Sequence, residues 1–114
     1  MHIDEYEFGR MVVDGKAHRR DLLLLPDGVR AEWWREEGHS LSRADLADVF
    51  EAKPEVLVIG TGAEGVMGVP PETRRALEEA GIRAIIEQTG SAVGRYNALA
   101  AAGTRVAGAF HLTC

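Results

Sequence analysis

The sequence predicts a single α/β domain, three layers built around a mixed β-sheet, with a hairpin region first and a β-α-β-α-β second half. Residues 56–59, 83–87 and 105–112 are dominated by continuous apolar runs, as strands buried on both faces are. Two helix-length segments lie between them, each closed by a glycine, Gly81 and Gly103. The first third carries turn signals at Asp14-Gly15 and Pro26-Asp27-Gly28. A chain of 114 residues supports one core, so residues 1–114 form one domain.

Phe8 to Val13 reads as a short strand and Lys16 to Leu25 as its return, because Asp-Gly supplies the two positive φ angles of a type I′ turn. The LLLL at the end of that return indicates burial on both faces. Val29 to Glu36 reads as a third extended piece, which would set Trp33 and Trp34 on opposite faces. Ser42 with Asp45 three residues on approximates a capping box. Leu46, Val49 and Phe50 then share one helical stripe, and Pro54 closes that helix. Val56 to Ile59 is a strand. Pro71 suits the first helical position, Glu72 to Ala80 continue the helix, and Arg83 to Glu87 is the next strand. Ser91 to Ala102 is a third helix, and Arg105 to Leu112 the closing strand.

Composition narrows the function classes. Eighteen acidic residues outnumber 13 Lys and Arg, a net charge of −5, which speaks against nucleic-acid binding. No 18-residue apolar run exists to span a membrane, and MHIDEYEFGR lacks the apolar segment of a secretory signal. One cysteine, Cys114, excludes an intramolecular disulfide and an all-cysteine metal site, and fits a reducing, cytoplasmic setting.

Gly60-Thr61-Gly62-Ala63-Glu64-Gly65 is a literal G-x-G-x-x-G after a strand, with Glu87 near the spacing expected of a ribose-binding acid. A dinucleotide needs the helix to begin inside the motif. Here the helix begins at Pro71, after Val66-Met67-Gly68-Val69-Pro70, so the expectation is a wide loop with sharp bends and no cofactor.

The same loop could serve a small anion. Gly60, Thr61 and Gly62 end one parallel strand, while Thr89 and Ser91 follow the next, within side-chain reach if the strands are neighbours. Arg95, one turn into the helix, could add positive charge. The alternative is that Thr89 and Ser91 only cap the helix. Trp33, Trp34 and Arg35 form a candidate partner-binding patch, because Trp and Arg are favoured at interface hot spots. One of the two tryptophans is expected in the core, and the other marks a protein partner if exposed. His39 reads as a loop histidine in a structural hydrogen bond. His111 and Cys114 make neither a metal site nor a nucleophile pair, since positions three apart in a strand point to opposite faces.

Several segments together resemble a known family. They are Tyr6-x-Phe8-Gly9, Asp14-Gly15-Lys16, the Trp-Arg-x-x-Gly-His run ending at His39, Ile59-Gly60-Thr61-Gly62, Thr89 with Ala92, Tyr96-Asn97 with Leu99, and the closing Ala-Phe-His-Leu-Thr-Cys. In this order, over nearly the whole chain, they resemble the Mth-type domain. That domain occurs in an adipogenesis-associated Mth domain-containing protein and, more distantly, in a mitochondrial assembly factor of respiratory complex I. The resemblance implies a three-layer fold and a small stand-alone bacterial or archaeal-type member. It brings no established reaction and no catalytic residue. Its motif residues near the two strand ends are Gly60, Thr61, Gly62, Thr89, Arg95 and Asn97. The expectation is a non-enzymatic accessory or protein-binding factor, with respiratory-complex assembly implied by the resemblance. The alternative is a small-molecule or anion-binding domain, with or without catalysis, using the Gly60–Gly62 and Thr89–Ser91 loops.

Overall fold

A computed structural model describes residues 1–114. Eight strands and three helices follow one another as β1 (Ile3–Glu7), β2 (Arg10–Val13), β3 (Lys16–His18), β4 (Leu22–Leu25), β5 (Gly28–Arg30), α1 (Ala47–Ala52), β6 (Val56–Thr61), α2 (Pro71–Glu79), β7 (Arg83–Glu87), α3 (Thr89–Ala101) and β8 (Val106–His111). A 3-10 turn, Ala44–Leu46, leads into α1. Five strands form a mixed sheet in the order β5-β4-β8-β6-β7, with β6 parallel to both neighbours and β4 antiparallel to β8. A smaller antiparallel sheet, β1-β2-β3, lies beside it.

The layers follow from strand alternation. On one face, Leu22 and Leu24, Val56 and Val58, and Val106 and Phe110 meet Ala92 and Tyr96 of α3 and Ile3, Met11 and Val13 of the small sheet. On the other face, Leu23 and Leu25, Leu57 and Ile59, and Ala107 and Ala109 meet Val49 of α1 and Leu77 of α2. The unbroken LLLL run serves both cores because alternate side chains face opposite ways.

Two glycines make room for one ring. A side chain at Gly108 would collide with the Phe110 ring, and one at Gly60 would lie 2.8 Å from both Phe110 Cδ1 and Thr89 Oγ1. Phe110 in turn meets Tyr96 edge-to-face, at 6.0 Å between centroids.

The second half has the predicted order, with α3 starting two residues early at Thr89. The first half differs. β1 has no counterpart among the predicted elements: IDEYE is polar, and of its five residues only Ile3 is fully buried, so it carries almost no hydrophobic signal. The return strand after Asp14-Gly15 is two strands in two sheets, broken at Arg19-Arg20-Asp21. The turn itself is as expected, with φ of 47° at Asp14 and 81° at Gly15 and Val13 paired to Lys16. The third extended piece shrinks to Gly28–Arg30, so Trp33 and Trp34 lie outside any strand. Ser42 and Asp45 form the reciprocal box, with Ser42 N–H donating to Asp45 Oδ2 at 2.9 Å and Asp45 N–H to Ser42 Oγ at 3.4 Å.

Candidate functional site

The glycine loop is built into the protein's own hydrogen-bond network. α2 starts ten residues after β6 ends, with Met67 and Val69 of the intervening loop buried in the core. The Gly62 N–H donates to Thr89 Oγ1 (2.8 Å), Ala63 N–H to Thr113 O (2.7 Å), Val66 N–H to Cys114 O (3.0 Å) and Met67 N–H to Thr61 O (3.1 Å). Gly62, at φ 107°, is where the Thr113–Cys114 main chain passes too close for any side chain. The amides a diphosphate would need are therefore donating inside the fold, and G-x-G-x-x-G here is a packing motif.

Strand adjacency brings Gly60, Thr61, Gly62 and Thr89 together, as their places at neighbouring strand ends require. The Thr89 hydroxyl is fully buried, accepts from Gly62 N–H and donates to His111 O at 2.6 Å. The Thr61 hydroxyl donates to Glu87 O at 3.1 Å. Ser91 is exposed on α3, and Arg95 pairs with Glu87 at 3.3 Å. Asn97 faces the N-terminal strand, accepting from Ile3 N–H and donating to Ile3 O, both at 2.9 Å. Its side chain fastens β1 to α3.

The second candidate group assembles around a charged cluster. Asp21, at the break before β4, stands opposite His111 at the end of β8, because Leu22 pairs with Phe110. The His111 Nδ1 lies 2.8 Å from Asp21 Oδ2, and the Leu112 N–H donates to Asp21 Oδ1 at 2.8 Å. The same Nδ1 lies 3.2 Å from Arg35 Nη2, so it stands between a group that only accepts and one that only donates, and the ring tautomer decides which of the two it bonds. Arg35 completes the cluster: its Nη1 donates to Asp21 Oδ2 at 2.7 Å and its Nη2 to Gly38 O at 2.9 Å. The side chains of Arg35, His111 and Asp21 are 5%, 6% and 16% exposed. Burial pushes the Asp21 carboxyl up, but the hydrogen bonds from His111, the Leu112 amide and Arg35 together hold it below the usual aspartate value. Arg35 Nε and His111 Nε2 are buried without a partner. The exposed His39 ring stands edge-on to His111, 6.2 Å between centroids. Cys114 lies elsewhere, its carbonyl bound by the β6–α2 loop.

The tryptophans divide around this cluster. Trp33 is half-buried, its indole N–H donating to Asp45 O at 2.9 Å and its ring beneath the Arg35 guanidinium at 4.9 Å. Trp34 turns outward and is 84% exposed. Glu32, just before them, holds a left-handed φ of 53°, which sends the chain around the bend. Trp33, Trp34 and Arg35 line an open cavity of about 550 Å³ with Arg19, Arg20, Asp21, Glu32, Gly38 and Thr113. The arginine–carboxylate pairs of the chain involve Arg10, Arg30, Arg35 and Arg95, which leaves the exposed Arg19 and Arg20 unpaired.

Arg19, Arg20 and Asp21 are not among the sequence-predicted site residues. The available signal is three charged residues inside a stretch that otherwise reads as strand, immediately before LLLL.

A family model described as "Protein of unknown function (DUF498/DUF598)" matches residues 3–111. The chain belongs to this family. Solved structures agree on the fold. The chain is similar to the protein named MT938 (26% identity over 99% of this chain and 98% of that one, TM-score 0.81). It is also similar to a protein described as an outer membrane protein from Bartonella henselae (31% identity, 98% and 94% covered, TM-score 0.85). A third, a Bordetella pertussis protein, is described as a Mth938-like domain; at 23% identity, 97% and 85% covered and TM-score 0.77, it shows the fold alone. The DUF498/DUF598 chain is thus a Mth-type domain of unknown function, and no helix in it is long and apolar enough to cross a membrane.

Proposed function

We propose that this domain is a non-enzymatic accessory factor that binds a protein partner through the face around Trp34, in keeping with the assembly role that the family resemblance implies. The observation that carries the reading is an indole 84% exposed at the rim of a cavity walled by arginines. An exposed indole forgoes a large burial gain, and Trp and Arg dominate interface hot spots. The base of the face is held in place, with Arg35 bonded to Asp21 and Gly38 O and Trp33 to Asp45 O. Groups already held in place lose less entropy on docking.

Charge indicates the partner's chemistry. The lining sets Arg19, Arg20 and Arg35 against Asp21 and Glu32, an excess of one positive charge on a chain of net charge −5, and Arg19 and Arg20 have no carboxylate partner, so an acidic segment complements them. Against catalysis, the Asp21–His111 pair resembles an oriented base, but the Nε2 that would take a proton is buried. The alternative, a small anion held by Gly60, Thr61, Gly62, Thr89 and Ser91 with Arg95 and Asn97, draws less support, because Gly62 N–H and the Thr89 hydroxyl already bond each other.

Capture from extracts of the source cells on immobilised domain, with and without excess poly-glutamate, tests the reading. It expects a partner that poly-glutamate and added salt displace. A bound set indifferent to both would sink the acidic-partner reading. Melting shifts with inorganic phosphate or small carboxylates that persist in Arg19→Glu/Arg20→Glu and vanish in Thr89→Val would favour the loop site instead.

A further inference from the structure

β7 is an edge of the five-stranded sheet and is hydrogen-bonded to β6 alone, at the side away from β4 and the Trp34 face. Arg83 N–H donates to Glu55 O at 3.0 Å, and Glu87 O accepts from Thr61 Oγ1. Arg83, Ile85 and Glu87 therefore turn their main-chain groups toward β6, and by alternation Ala84 and Ile86 turn theirs outward. Outside them runs a groove of about 410 Å³, lined by Ile82, Ala84 and Ile86 and by Arg74 and Glu78 of α2.

An edge with free main-chain groups is a template for another strand. Arg83-Ala84-Ile85-Ile86-Glu87 is its own complement. With a second copy laid antiparallel about a two-fold axis at Ile85, Arg83 faces the partner's Glu87 and Glu87 faces the partner's Arg83. Ala84 faces the partner's Ile86 and Ile86 the partner's Ala84, and these are the residues whose N–H and C=O point outward, so each such pair exchanges two hydrogen bonds. Slipping the register by two residues keeps main-chain bonding but sets Arg83 or Glu87 against the partner's Ile85, and both charge pairs are lost. We propose that β7 is a self-pairing edge through which two copies join their five-stranded sheets into one continuous sheet.

The strip is five residues long. It falls at the small end of specific interfaces, which usually bury more than about 1,000 Å². The dimer is accordingly weak and concentration-dependent. Glu87 would then stand between Arg95, its neighbour at 3.3 Å, and the partner's Arg83. The inference is independent of the Trp34 face.

Sedimentation equilibrium on the full chain, up to roughly 1 mM to reach weak affinities, tests it. The wild type should dimerise reversibly. Arg83→Glu alone and Glu87→Arg alone should each weaken self-association by about tenfold, because two cross-strand attractions become repulsions. An equimolar mixture of these two variants should regain wild-type association, since both charge pairs reform between them. Ala84→Pro, which removes an outward N–H and nothing from the β6 ladder, should abolish it. Melting temperature reports whether each variant is folded. A wild type monomeric throughout, single variants that associate as the wild type does, or a mixture no tighter than its parts would each overturn the proposal.

Discussion

Asp21 has the most to lose from a single substitution. Its carboxylate accepts from Arg35 and the Leu112 amide and sits against His111 Nδ1, and both side-chain neighbours are more than nine-tenths buried. Asp21→Ala leaves the Arg35 guanidinium buried and uncompensated, a loss expected at about 3–5 kcal/mol and measurable by urea unfolding. The pH dependence has a definite sign. Asp21 titrates below its ordinary value of 3.8 in the folded state, so between the two values the unfolded chain binds more protons. Its stabilisation is complete above the ordinary value and fades as pH falls through the folded one. Asp21→Asn should therefore flatten the acid limb of the stability profile below about pH 4; an unchanged acid limb would show that the carboxylate contributes nothing there. Gly60 is the second sensitive residue. A methyl group there meets Phe110 and Thr89, so Gly60→Ala should lower stability by about 1–3 kcal/mol, visible in the same titration.

At the scale of elements, β1 is held more by hydrogen bonds than by apolar burial. β1 buries only Ile3 fully and is fastened to α3 by the Asn97 amide. Asn97→Leu removes both bonds, and amide exchange at Ile3 and Val12 should speed up well before that at Val58 or Ala107; uniform acceleration would show that hairpin and sheet open together. The contrast explains which elements could be read from the sequence. β6 and β8 run through both cores and α2 and α3 end beside Gly81 and Gly103, both at positive φ, so their signals are local and strong. β1 is held by a partner 94 residues away and shows no local pattern. The charged cluster is hidden in the same way. Asp21 and His111 are 90 residues apart, and Arg35 and His111 are 76 apart. Arg19-Arg20-Asp21 reads locally as an interruption in a strand, and only the β4–β8 pairing sets it beside His111, at the wall of the cavity under Trp34. Trp33, Trp34 and Arg35 are legible because their residue types are favoured at interfaces, although which tryptophan faces outward depends on the bend at Glu32.

On the scale of the whole molecule, the two edges of the sheet have different characters. One side carries the Trp34 cavity over a locked charge cluster, and the other ends in β7 with its palindromic charges. On the two readings proposed above, the first side meets a partner protein and the second meets another copy of the chain. The most direct measurement is the dissociation constant of a captured partner for the wild type and for Trp34→Ala, each checked by melting. The indole makes no hydrogen bond within the fold, so the substitution should change stability by no more than about 0.5 kcal/mol. It should weaken partner binding by about thirtyfold or more, as loss of a hot-spot residue does. A Trp34→Ala protein of unchanged stability that binds its partner as tightly as the wild type would contradict the assignment of this face.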